Sequence, residues 1–177
     1  MQHFEKTVKS EKIFEGEILS VLFDEVEIEN GRNSTREHIS HNGGAAVIAL
    51  DNEGFVYLVE QFRYPYKKVL LEVAAGKLKL GEDPLECGKR ELWEETGIKA
   101  KNYTSLGEVY PTPGYSNEII YLYLATELEF GEQNCDEDEF VTVNKMSLDE
   151  AVKMVLSGAI KDSKTQIAIL KTKEFKE

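Results

Sequence analysis

One stretch, Gly76 to Ile98, reading GKLKLGEDPLECGKRELWEETGI, constrains the fold more than any other part of the chain. A glycine-bearing loop runs directly into a helix that is signposted at both ends. Asp83 suits the N-cap, Pro84 the first helical position, and Glu86 stands three residues after the cap. Gly97 is placed to end the helix in a left-handed conformation, with Ile98 making the accompanying apolar contact. Leu85 and Leu92 share a face and are expected to pack into the core. Gly88 is an odd choice inside a helix, costing ~1 kcal/mol relative to alanine. Close packing against a neighbouring element is the simplest reason for it.

The same helix carries Glu91, Glu94 and Glu95 within about one and a half turns. Residues four apart lie on one face, so Glu91 and Glu95 present their carboxylates to the same region of space. Like charges held together repel, and a hard divalent cation that prefers carboxylate oxygen compensates them. For two glutamates alone a solvated acidic face is the ordinary explanation. Arg90 is spaced for helical ion pairs with Glu86 and Glu94, each worth only ~0.3–0.5 kcal/mol if exposed. Its expected role is therefore to orient acidic neighbours.

The remaining chain bounds what such a face can serve. At 177 residues it suits one domain with an appendage, or two small domains. A net charge of −12 argues against nucleic acid or an anionic membrane as partner. An anionic substrate would then need local help from metal ions or placed arginines. Cys87 and Cys135 have neither metal nor disulfide spacing, as expected in a reducing compartment. His3, His38 and His41 form no cluster and read as surface or framework residues. The longest purely apolar run, Ala45 to Leu50, is too short to span a bilayer, and no apolar signal region opens the chain. A cytoplasmic protein is expected.

The first ~42 residues read as short strands. Segments 17–22 and 24–28 have strand character, Asn30-Gly31 is a strong hairpin signal, and 34–40 can run back as the partner. So small a sheet should lean on the next domain or on another subunit. The boundary is expected at His41-Asn42-Gly43-Gly44, giving an N-terminal β-domain over 1–42 and a second domain over 43–177. There, strands are expected over 45–50, 55–61, 70–73, 105–110, 118–125 and 141–143. Ser147 with Glu150 makes a capping box for a helix to about residue 156, and a last helix covers roughly 164–175. Strands and helices in this order, without regular βαβ alternation, point to an α+β fold.

Counted as a pattern, Gly76 is followed by Glu82, then Arg90-Glu91-Leu92, Glu94-Glu95 and Gly97-Ile98, which matches all nine defined positions of the Nudix box. The chain therefore resembles the Nudix hydrolases. The resemblance implies an α/β/α sandwich around a mixed sheet and metal-dependent hydrolysis of a nucleoside diphosphate linked to another group. Outside the box, Thr112-Pro113-Gly114, Glu60-Gln61-Phe62-Arg63, and Arg36-Glu37 after Asn30-Gly31 are similar to features of the bacterial ADP-ribose pyrophosphatases. That subfamily implies hydrolysis of ADP-ribose to AMP and ribose 5-phosphate. Alternatives are a pyrophosphatase for another nucleoside diphosphate sugar, and a non-catalytic sensor that binds ADP-ribose.

Carried over residue by residue, the resemblance assigns metal binding to Glu91, Glu95 and the main-chain carbonyl of Ala75, with two or three Mg²⁺ ions, or Mn²⁺ in their place. Glu94 and Glu82 would support the cluster, and Arg90 would fix its geometry. A glutamate in the acidic run 136–139, either Glu139 or Glu137, would bind the outermost metal or act as general base. Arg36 and Arg63 would hold phosphate and terminal ribose, Glu118 a ribose hydroxyl, and Phe14 or another N-terminal aromatic would stack on adenine. The resemblance also implies a homodimer in which N-terminal β-domains help build the partner's adenine site.

Overall fold

In the computed structural model, residues 3–135 and 140–176 are described. Three strands, β1 (Glu5–Glu15), β2 (Leu19–Ile28) and β3 (Asn33–His41), form an antiparallel meander. The expected hairpin is present: Gly31 takes φ 76° and donates to the carbonyl of Ile28. Two things differ from expectation. The segments read as two short strands are one continuous strand, β2, and β1 adds an eleven-residue strand before it. β1 is missed because it is exposed along its whole length, so charged residues interrupt its Val, Ile and Phe on both faces.

The second sheet runs β10 (Val141–Ser147), β5 (Phe55–Arg63), β4 (Gly44–Leu50), β9 (Ile120–Phe130), β8 (Ile98–Val109), with β6 (Lys68–Glu72) paired to β5 and β7 (Ala74–Lys77) paired to β4. β4 pairs with β9 in parallel and every other pair is antiparallel, so the sheet is mixed. β4 explains the layering. Its seven residues are all buried, as expected where both faces are covered. Ala46, Ile48 and Leu50 enter one core with Leu148, Ala151, Ala168 and Ile169 of helices α2 (Leu148–Leu156) and α3 (Ser163–Lys176). Val47 and Ala49 enter the other with Leu92 of helix α1 (Pro84–Thr96). Alternation along one strand thus places helices on both faces, the α/β/α sandwich of an α+β protein.

Both capping signals hold. The Asp83 carboxylate accepts from the N–H groups of Leu85 and Glu86, Gly97 closes α1 at φ 68°, and the Ser147 hydroxyl accepts from the N–H of Glu150. Of the two leucines expected in the core, Leu92 is fully buried while Leu85 is only half-buried. The buried places of the first turns belong to Cys87 and Gly88 instead. A methyl group on Gly88 would stand 2.9 Å from Val47 Cγ2, so the glycine is there for close helix–sheet approach. Strand β7 was not anticipated; Ala74, Ala75 and Gly76, followed by one lysine, offer little pattern to read.

The two sheets meet through the 112–118 loop. Ser116 makes a parallel bridge to Ile39, the Ile39 N–H donates to the Tyr115 carbonyl, and the His41 N–H donates to Asn117 Oδ1 at 2.8 Å. Among the described residues, no helix is long and apolar enough to cross a membrane.

Candidate active site

Helix α1 packs its acidic face onto β7. The Glu95 side chain is almost fully buried, and its Oε2 accepts from the Ala75 N–H at 3.0 Å. One turn earlier, the Glu91 carboxylate fills the space beside Gly76, where an added Cβ would lie 1.9 Å from it. The two glutamates therefore meet consecutive residues of one short strand, and Gly76 is glycine because Glu91 occupies its side-chain volume.

Arg90 ties this group together. It donates from Nη1 to Glu91 at 2.6 Å and to Glu94 at 3.1 Å, and from Nε and Nη2 to the two oxygens of Glu82 at 3.1 and 3.2 Å. Burial works against the Arg90 charge, yet the Glu82 hydrogen bond and the Glu91 carboxylate together raise its pKa. Arg90 in turn holds the Glu82 carboxyl below the usual range. Cys87, beneath the site, donates to the carbonyls of Gly76 and Lys77. Burial first, then Glu82 and Glu91, push its thiol up to about 12, so it is a neutral thiol at physiological pH.

These residues open into a cleft of about 680 Å³. Ala75, Gly76, Arg90, Glu91 and Glu94 line it, as do the expected substrate residues Arg63 and Glu118. Arg63 is held by a bidentate pair with the buried Glu72, at 2.8 and 2.7 Å. Glu118 lies 3.7 Å from His41 Nδ1, which accepts from the Gly43 N–H. His41 is thus a framework residue that also reaches the cleft. Arg36 and Phe14 are not brought to the cleft within one chain: Arg36 pairs with Glu5 across the N-terminal sheet, and Phe14 is more than half exposed on β1. Glu137 and Glu139 lie outside the described residues.

Sequence reasoning overlooked Glu72 and Lys164, which form a buried ion pair at the back of the cleft. Burial opposes the Glu72 charge, but the Arg63 hydrogen bonds and Lys164 lower its pKa below the ordinary glutamate value. A buried-charge signal in sequence was present for Glu72, set between Leu71 and Val73, but its partner lies 92 residues away.

The site fits divalent metal by its donor chemistry. Glu91 and Glu95 offer carboxylate oxygen beside backbone, with neither histidine nor thiolate competing at that face. Among the described residues, no three acidic, histidine or cysteine side chains converge on one point.

Comparison with known proteins agrees with this geometry. The NUDIX domain model matches residues 40–166. The chain is 42% identical to an ADP-ribose pyrophosphatase of Bacillus subtilis (strain 168) over 167 residues, covering 93% of this chain and 90% of the relative. It is 44% identical, with the same coverage, to a methanol dehydrogenase activator of Bacillus methanolicus. A GDP-mannose pyrophosphatase of Yersinia enterocolitica is 36% identical over 73% of each chain. The crystal structure of an ADP compounds hydrolase superposes with a TM-score of 0.84, covering 97% of this chain and 93% of that one at 19% identity, a likeness of fold. With the family model spanning most of the chain and the acidic face of α1 seated on Ala75 and Gly76, this protein belongs to the Nudix hydrolase family.

Proposed function

We propose that the chain hydrolyses the diphosphate of ADP-ribose to AMP and ribose 5-phosphate with Mg²⁺, or Mn²⁺ in its place. The observation that carries this reading is the cleft itself, where Glu91 and Glu94 of the acidic helix and Arg63 line one cavity, with Glu95 buried behind them against Ala75. Support for the substrate comes from the relatives named ADP-ribose pyrophosphatase, in Bacillus subtilis at 42% and in Mycobacterium tuberculosis at 35% over 92% of this chain.

Glu91, Glu95 and the Ala75 carbonyl would hold two or three metal ions. Bound there, the metal supplies charge neutralisation on the diphosphate and a water of lowered pKa. The chain's own residues do the rest. Arg90 keeps Glu91 and Glu94 at fixed positions through its three carboxylate partners. Arg63 binds phosphate as a planar donor fork, Glu118 accepts from a ribose hydroxyl, and Glu139 or Glu137 takes the proton of the attacking water.

Two further parts of the reading concern assembly. Val8, Ile13 and Phe14 of β1, and Phe4 and Ile18 just outside it, are each more than half exposed, and among the described residues of that sheet only Val26 is buried. A homodimer covers such a surface, and it brings Arg36 and Phe14 to the partner's adenine. Residues 1–42 then serve dimerisation and adenine binding, and residues 43–177 catalysis, in a cytoplasmic enzyme.

The test is product formation from ADP-ribose, ADP-glucose, GDP-mannose and diadenosine substrates with Mg²⁺ and with Mn²⁺. ADP-ribose is expected to show the highest kcat/KM; preference for GDP-mannose would transfer the chain to its other relatives. Glu95→Gln keeps the hydrogen bond from Ala75 but removes the charge, and should cut turnover at least ~100-fold while the fold persists. The methanol dehydrogenase activator relative favours one second reading, regulation of a partner enzyme. A pure regulator forms no product from any member of the panel.

A further inference from the structure

Lys164 breaks two local rules at once. It is a lysine only 8% exposed, and it stands in the first turn of α3, where the helix dipole disfavours a cation. Its charge is offset by the buried Glu72 carboxylate and by Asp162 Oδ1 at 3.0 Å. Glu72 also receives Arg63 Nε and Nη2, one on each oxygen, and so engages one edge of the guanidinium and leaves the Nη1 donors to other acceptors. The arrangement is braced from behind. Asp162 Oδ2 accepts from the Thr165 N–H, and the Thr165 hydroxyl accepts from the Val73 N–H at 2.9 Å. The start of α3 is thereby fastened at Val73 to the β6–β7 junction, two residues before Ala75.

Buried ion networks of this kind seldom add stability over a well-packed apolar core, so stability alone does not account for this one. Its two cations are what reach the cleft: Arg63 and Lys164 both line it, and Glu72 does not. Broken local rules concentrate at functional sites, and these two residues share the cavity with the acidic face.

We propose that Glu72 is a positioning residue for diphosphate recognition, holding Arg63 and Lys164 as a fixed pair of cations for phosphate oxygens that enter the cleft. The proposal rests on the diphosphate reading above. Glu72 acts through its partners, so its removal acts on binding more than on the bond-breaking step.

The test is steady-state hydrolysis of ADP-ribose by wild type, Glu72→Gln, Lys164→Met, Arg63→Met and the double variant Arg63→Met/Glu72→Gln. Glu72→Gln is expected to raise KM at least tenfold with kcat changed less than threefold, and Lys164→Met to raise KM in the same sense. In the Arg63→Met background, the Glu72→Gln step should raise KM by a smaller factor than it does in wild type, because Glu72 has lost one of the two partners through which it acts. An unchanged KM in folded Glu72→Gln, a fall confined to kcat, or full additivity in the double variant would each overturn the proposal. Should Glu72→Gln fail to fold by circular dichroism, Glu72→Gln/Lys164→Met removes one buried charge of each sign and takes its place, with the same expected rise in KM. Binding of inorganic pyrophosphate by titration calorimetry separates this inference from the substrate reading. A chain that turns over no nucleotide, yet binds pyrophosphate at least tenfold more tightly than Glu72→Gln, loses the substrate reading and keeps the cation pair. Equal pyrophosphate binding by the two proteins overturns the cation pair whatever the substrate.

Discussion

Gly76→Ala isolates the geometry of the acidic site from the charge of its residues. A Cβ built on Gly76 lies 1.9 Å from both Cδ and Oε1 of Glu91 and 2.3 Å from Oε2. Ordinary contact begins near 3.4 Å, so the carboxylate must retreat by more than an ångström. It is the end of a flexible side chain, and the backbone has no reason to move with it. The cost in stability is small. One partly buried contact with Arg90 is weakened, worth at most ~1 kcal/mol, while replacing a strand glycine by alanine returns roughly 0.5–1 kcal/mol. The cost in catalysis is large, because misplacing a reacting or metal-holding group by ~1 Å loses on the order of 100-fold in rate, or about 2.7 kcal/mol of transition-state stabilisation. The assay is Mg²⁺-dependent hydrolysis of ADP-ribose beside a thermal melt. Expected is a kcat/KM at least ~100-fold down with Tm within a few degrees of wild type. Gly88→Ala is the control: its Cβ meets Val47 Cγ2 at 2.9 Å in the closed core, so it should lower Tm and leave the kinetics of the folded protein nearly unchanged. Activity of Gly76→Ala within threefold of wild type would refute the placement of Glu91 in the site.

Two other outcomes follow from the charges. Cys87, with its thiol at about 12, should resist a thiol-specific reagent at pH 8, so the native protein shows at most one reactive thiol and the guanidinium-unfolded protein two; two fast thiols in the native protein would contradict its burial. Glu72 and Glu82 both have folded-state pKa values below the ordinary 4.5. A depressed carboxyl contributes stability that is complete above about pH 4.5 and is lost as pH falls through its folded value. Tm of the wild type should therefore drop more steeply below pH 4.5 than that of Glu82→Gln, and parallel melting curves across that range would count against the Arg90–Glu82 pairing.

How far the sequence could be read depended on how far each interaction reaches along the chain. The acidic face of α1 was legible because its parts are local. The cap, the i,i+4 glutamates, Arg90 and the closing glycine all sit between residues 83 and 97, where helix periodicity fixes their relative places. Strand β4 was legible for the same reason, since seven successive buried residues admit few other readings. Legibility failed where polar alternation hid a strand, as in β1, and where small residues gave no period, as in β7. It failed again at Leu85, where helix phase alone could not tell that Cys87 and Gly88 take the closest approach to β4.

The pairing on the cation side of the cleft was beyond reach for a deeper reason. Arg63, Glu72 and Lys164 come from β5, β6 and α3, and no spacing rule links them. Arg63 was read as a substrate residue from the Glu60-Gln61-Phe62-Arg63 segment, whereas Glu72 and Lys164 each read as ordinary charged residues, and only the fold supplies the pairing. A chain with net charge −12 nonetheless has to admit a dianionic diphosphate. Long-range repulsion is screened beyond about 8–10 Å at physiological salt, so what decides binding is the charge within that distance of the substrate. There the chain sets Arg63, Lys77, Lys79, Arg90 and Lys164 along one cavity. Arg90 is committed to three carboxylates, which leaves Arg63 and Lys164, each anchored by Glu72, as the fixed cations. On the proposed reading glutamates thus do two jobs at this cleft: those on α1 would supply oxygen to metal, and the one on β6, behind it, would keep basic side chains where an anion can find them.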